Sequence, residues 1–190
     1  MIRRFFTGLL LLGFTALAQA APFDIDQLMA ALSRNPGGKA TFVEKRYLAL
    51  LDWPAVATGE MTYSPPDRLE RRLLTPQVET MILDKDTLTL ERDRRRMSIR
   101  LSSKPEVAAF VDSIRSTLSG DRAALERSYK IALSGHMDAW VLSLVPKDKR
   151  IVEMLQRIKL SGVRDQVLVI EYLQADGDRT EMTISPVATP

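Results

Sequence analysis

The sequence has no cysteine and a single histidine among 190 residues. That excludes disulfides, thiolate nucleophiles, sulfur-ligated metals and any motif that needs a histidine pair. Aromatics are scarce, and glycine and proline sit at ordinary levels. With 45% apolar and 27% charged residues, the chain reads as an ordinary folded protein and one domain is the default. No Gly-x-Ser-x-Gly elbow and no Ser-x-x-Lys pair is present. Gly37-Gly38-Lys39 lacks the first glycine and the Ser/Thr of a phosphate loop and precedes a strand pattern. The acidic residues are scattered without metal-ligand spacing. No catalytic residue, metal or cofactor is therefore expected.

The one long apolar run lies at the start. Arg3 and Arg4 precede Leu9 to Leu12, Phe14 and Leu17, and Ala18-Gln19-Ala20 has the form of a cleavage site. Residues 1–20 are expected to be a cleaved signal peptide, and residues 21–190 a single domain in the periplasm. The run is short for a membrane span. Loss of the two arginines takes the formal charge from +3 to +1. That balance offers no general reason to bind nucleic acid.

Beyond the leader, the apolar pattern starts with period 3.6. Asp24 suits an N-cap, and Ile25, Leu28, Met29 and Leu32 form one stripe. Asn35-Pro36-Gly37-Gly38 stops it. The period then falls to 2. Strands are expected over Ala40 to Leu51, Val56 to Tyr63, Arg68 to Thr75, Val78 to Leu83 and Thr87 to Glu91. Met97, Ile99 and Leu101 alternate with Arg96, Ser98 and Arg100. Pro105 to Leu118 reads as a helix with Val107, Phe110, Val111, Ile114 and Leu118 on one face. Asp121 caps a shorter one. Strands return over Tyr129 to Leu133, Ala139 to Val145, Leu155 to Leu160, Gln166 to Leu173 and Thr180 to Ile184. The expected class is α+β, with about nine to eleven antiparallel strands.

Two features could carry chemistry. His136 and Asp138 could form an acid–base pair, but Ser134 to Asp138 reads as a turn, where polar residues are ordinary. Arg92, Arg94, Arg95 and Arg96 surround a lone Asp93. Such a run keeps a hairpin tip soluble. It equally suits docking to anionic headgroups or an acidic partner, because guanidiniums match phosphate.

The order of elements resembles the LolA family of periplasmic outer-membrane lipoprotein carriers, and more closely its divergent LolA-like branch. Ala40 to Arg46 stands where that family has a Phe-x-Gln strand. Gly59 to Leu69 is similar to its Gly-x-Leu-x-x-x-Arg-Pro segment, with Pro65 in place of the arginine and Leu69 in place of the following aromatic. Leu83 to Leu88 is similar to its Asp-Gly hairpin, and Trp140 to Pro146 to its aromatic-x-Leu-x-Pro strand. Asp176-Gly177-Asp178 precedes the last strand.

The resemblance implies an open, half-closed antiparallel β-barrel with helices lidding the concave face. It implies binding of lipoprotein acyl chains or another acyl lipid, with an inner-membrane donor and an outer-membrane acceptor as partners. A covered half-barrel needs no second copy, so a monomer is expected. On that fold the groove is expected from Met61, Tyr63, Leu69 and Leu73, then Leu88, Leu90, Met97, Ile99 and Leu101, with Val107, Phe110 and Ile114 from the lid. The alternatives are a scaffold with a filled core that docks through its arginines in export of an acyl-bearing lipid or pigment, and an enzyme using His136.

Overall fold

Alternation in the sequence becomes one sheet. The computed structural model describes residues 23–188; the leader expected over residues 1–20 lies outside them. Helix α1 (Ile25–Leu32) is capped by Asp24, whose carboxylate accepts the Gln27 N–H at 2.9 Å. Six strands follow: β1 (Gly38–Tyr47), β2 (Ala55–Ser64), β3 (Arg68–Thr75), β4 (Glu79–Asp84), β5 (Thr87–Arg92) and β6 (Arg95–Arg100). A 3-10 turn at Leu101–Ser103 leads into α2 (Pro105–Leu118) and α3 (Arg122–Ser128). Then come β7 (Tyr129–His136), β8 (Ala139–Pro146), the short α4 (Lys149–Val152), β9 (Leu155–Val163), β10 (Gln166–Gln174) and β11 (Arg179–Pro186).

All eleven strands form a single antiparallel sheet in the order β6-β5-β4-β3-β2-β1-β11-β10-β9-β8-β7. Each neighbour is also the neighbour in sequence except at the centre, where β1 meets β11. The edges β6 and β7 do not pair, so the sheet stays open. The helices linking those edges pack onto its concave face. This is the expected open half-barrel of α+β class, with four helices and eleven strands among the described residues.

The concave face is the apolar one. Leu28 and Leu32 of α1, Ile114 of α2 and Leu125 of α3 bury against Phe42, Leu142, Leu144, Ile158 and Leu160. A smaller cluster, Leu83, Leu88 and Leu101, sits under the start of α2. Two aromatics cover cross-strand glycines. Trp140 faces Gly162, and Phe42 faces Gly59. A Cβ at either glycine would strike the ring and a backbone carbonyl. The missing side chain is what lets each ring lie flat on the bending sheet.

Several boundaries differ from the sequence expectation. The first strand ends at Tyr47, not Leu51. Past that point β2 and β11 supply no partners, Leu51 N–H closes a turn on the Leu48 carbonyl at 2.9 Å, and Asp178 takes the Ala49 N–H at 2.9 Å. The turn expected over Ser134 to Asp138 shrinks to Met137-Asp138, because Ser134 to His136 pair with β8. Leu101 leaves the strand and starts the 3-10 turn, buried, with its N–H on the Asp86 carbonyl at 2.9 Å.

Helix α2 is tied to the sheet at its middle. The Tyr129 hydroxyl donates to the Ala109 carbonyl at 2.7 Å, and an Arg115 Nη donates to the Lys85 carbonyl at 2.7 Å. Burial pushes the Tyr129 phenol up to about 12. An unfolded tyrosine titrates near pH 10. Between those values the unfolded state holds fewer protons, so stability falls as pH rises through them. The urea midpoint should drop between pH 9 and pH 11.5. Tyr129→Phe should be less stable by about 1 kcal/mol at pH 8, yet show a shallower alkaline decline. An unchanged alkaline slope would remove Tyr129 from this account.

Candidate functional site: an apolar cavity beneath α2

Strand geometry sends every second side chain to the concave face. The hydrogen-bond register then stacks those side chains into rows. Tyr63, Leu69, Leu83, Leu88 and Ile99 form one row, and Met61, Arg71, Met81, Leu90 and Met97 the next. Helix α2 crosses these rows without filling the space above them. A cavity of about 390 Å³ remains. Ordinary small-ligand pockets span roughly 300–1,000 Å³.

Its walls are Met61, Tyr63, Leu69, Met81, Leu83 and Leu88 from the first half of the sheet, and Ile170, Tyr172, Met182 and Ile184 from the second. Phe110, Val111, Ile114 and Leu118 form the roof. Phe110 leans on Tyr172 across the space, with ring centroids 4.7 Å apart. At one end the loop Asn35 to Gly38 meets the β9–β10 turn, where the Asn35 side-chain amide donates to the Asp165 carbonyl at 2.7 Å. Methionines on two walls give the lining an adjustable shape.

Six of the expected groove residues line this cavity: Met61, Tyr63, Leu69, Leu88, Phe110 and Ile114. The others lie elsewhere. Leu73 packs against the main core, and Leu101 and Val107 against the smaller cluster. Leu90, Met97 and Ile99 sit toward the β6 edge, where Met97 is more than half exposed. The sequence reading missed the whole β10–β11 wall, and it missed Arg71. Alternation was the available signal. Ile170 and Tyr172 alternate, as do Met182 and Ile184, and Arg71 falls between the inward Leu69 and Leu73.

A second recess of about 720 Å³ lies by α2 and α3. Its lining mixes Asp112, Asp121, Arg115 and Arg127, so it carries both signs of charge and little apolar surface. His136 and Asp138 do not pair as acid and base. Asp138 accepts from Arg164 Nε at 2.8 Å, and that guanidinium holds its carboxyl below the ordinary range. His136 is exposed at the strand end opposite Ala139.

The arginine run forms the β5–β6 turn, with Asp93 and Arg94 both at positive φ. Arg92 reaches Glu79 and Asp93 at 3.8 Å, and Arg96 reaches Glu91 at 3.4 Å. Among the described residues, Arg94 and Arg95 have no ion-pair partner. The register places this tip at the end of the sheet opposite Gly38 and Asp84. The β1–β2 loop is at the same end, with Leu50 and Trp53 almost fully exposed. Among the described residues no helix is long and apolar enough to cross a membrane, and no cluster of three His, Asp or Glu could hold a metal.

A family model described as outer membrane lipoprotein carrier protein LolA-like matches residues 17–189. The chain belongs to the LolA-like family. Solved structures similar to this LolA-like chain include a LolA superfamily protein, NE2245 from Nitrosomonas europaea. It is 10% identical, with 86% of this chain and 93% of that one covered and a TM-score of 0.44. The Pseudomonas aeruginosa MucA/MucB complex matches at 18% identity over 86% of this chain, which spans 56% of the matched one, with a TM-score of 0.44. LprF from Mycobacterium bovis matches at 11% identity over 87% and 95% of the two chains, with a TM-score of 0.35. No curated protein matches the sequence.

Proposed function

We propose that this LolA-like protein is a periplasmic carrier. It takes an acyl chain of a lipoprotein or lipid into the cavity beneath α2 and hands it on toward the outer membrane. The leader over residues 1–20 would export the single domain over residues 21–190, which would act as a monomer and without catalysis. The observation that carries the reading is the unfilled apolar space between α2 and the concave sheet. Each methylene moved out of water contributes about 0.8 kcal/mol, so a dozen are worth roughly 10 kcal/mol. A shielded apolar groove offsets that cost in transit without breaking a bond. The test is native mass spectrometry of protein purified from periplasm, before and after organic extraction. A bound mass that extracts as an acyl lipid or lipidated peptide is expected. Clean apo protein that also ignores a hydrophobic fluorophore would mean a filled core and favour the scaffold reading.

Docking to the membranes at either end of the journey is assigned to the Arg94 and Arg95 end of the sheet. Unpaired guanidiniums there share that end of the sheet with exposed Leu50 and Trp53 of the β1–β2 loop. Each basic residue near an anionic surface contributes about 1 kcal/mol, so Arg94→Gln with Arg95→Gln should weaken binding to phosphatidylglycerol vesicles roughly thirty-fold at low salt. Vesicle co-sedimentation reads this directly. Equal sedimentation of variant and wild type would retire the tip as a docking surface.

A further inference from the structure

One feature of the cavity does not suit a purely apolar cargo. Glu44 points inward from β1 and is 4% exposed. One carboxylate oxygen accepts from Arg71 Nη2 and the other from Arg46 Nε, each at 2.7 Å. Arg46 is mostly exposed, whereas Arg71 lines the cavity and stacks 4.6 Å above the Phe42 ring. Its row neighbours are Met61 and Met81.

Two apolar residues would stabilise this position at least as well, because desolvating an ion pair consumes most of its attraction. One carboxylate also balances only one of the two guanidiniums, so the group keeps a net positive charge. Arg71 has five N–H donors, and one is used. Its Nε is buried without a partner, and so is the Tyr63 hydroxyl on the same cavity wall. Two unsatisfied polar atoms in one apolar cavity are costly, since each forgoes its water bonds for nothing. An acceptor oxygen brought in by a ligand at the guanidinium would repay the loss at Arg71.

We propose that the cavity binds a long-chain monocarboxylate, a free fatty acid, with its carboxylate turned inward to the Arg71 guanidinium. The acyl chain then runs along Met61, Leu69 and Ile114 beneath α2. This rests on the carrier reading and narrows its cargo. Arg71 acts as the specificity determinant, Glu44 holds the guanidinium in place, and Arg46 belongs to the outer side of the cluster.

The test compares palmitate with methyl palmitate as displacers of an uncharged hydrophobic fluorophore from the delipidated full chain. The two differ by one methyl group and one negative charge. Wild type should bind palmitate at least about tenfold more tightly, as a charge-assisted hydrogen bond requires. Glu44→Gln with Arg71→Gln keeps the shape and removes both charges, and should bind both ligands at the weaker affinity with an unchanged thermal midpoint. Arg46→Gln should keep the preference. Equal binding of the two ligands by wild type overturns this inference and leaves the carrier reading standing. Failure of every displacer and of the fluorophore overturns both. Because the wild-type comparison needs no variant, a poorly folding double mutant cannot rescue the proposal.

Discussion

Leu69→Glu should abolish acyl-ligand retention while the sheet stays folded. Leu69 lies in the row between Tyr63 and Leu83 and touches the cavity as well as both core clusters. A carboxylate there faces the tail of any ligand. Pairing it with hydrocarbon costs several kcal/mol, which is more than a hundredfold in affinity. The fold should survive, because the glutamate can be hydrated by water that enters the emptied cavity. Met97→Glu is the matched control. Sequence alternation makes Met97 an equal candidate, but it lies exposed on β6, away from the cavity. Native mass spectrometry of both variants, with circular dichroism to confirm the sheet, separates the outcomes. A Leu69→Glu protein that carries the wild-type bound mass would sink the site. So would a Met97→Glu protein that loses it.

Trp140→Ala should cost about 3–5 kcal/mol, the largest loss expected from any single truncation here. The indole is 1% exposed and lies in register between Gly135 of β7 and Gly162 of β9. Its Nε1–H donates to the Arg164 carbonyl at 3.0 Å, tying the ring to the β9–β10 turn. Alanine leaves a void that neither glycine can fill, and it strands that carbonyl. For a chain of this size the thermal midpoint should fall by roughly 10 °C. Gly162→Val should be at least as damaging, because its side chain would occupy the space of the indole and meet the Gln166 carbonyl. Thermal melts read both. A fall of under about 3 °C for either would mean that this half of the sheet is far more plastic than its packing suggests.

The element order and class were legible in the sequence because each rests on local pattern. Period 3.6 around Leu28, Met29 and Leu32 and period 2 around Gly59, Met61 and Tyr63 are decided by which residues can face a core together. Asp24 and Asp121 cap their helices as their chemistry predicts, at 2.9 Å from the Gln27 and Ala124 N–H groups. Proline and glycine marked most turns. The errors fell where a distant strand decides the outcome. Gly135 reads as a turn residue, yet it belongs to β7, because it pairs with Trp140 of β8 at a positive φ where a Cβ would strike the Ala139 carbonyl.

The site shows the same division. Sequence by itself determined that one face of the sheet would be apolar and that α2 would present Phe110 and Ile114 to something. Only the tertiary structure decided which apolar residues border empty space and which are core. Leu69 and Leu73 alternate identically and both pack on the main core, but of the two only Leu69 also borders the gap beneath α2. Nor could alternation show that β11 would close beside β1 and bring Met182 and Ile184 to the same cavity as Met61, because that pairing joins residues more than a hundred positions apart. Arg71 is the sharpest case. A strand pattern marks it as inward, but only the arrival of Glu44 from β1 turns a misplaced charge into a held guanidinium.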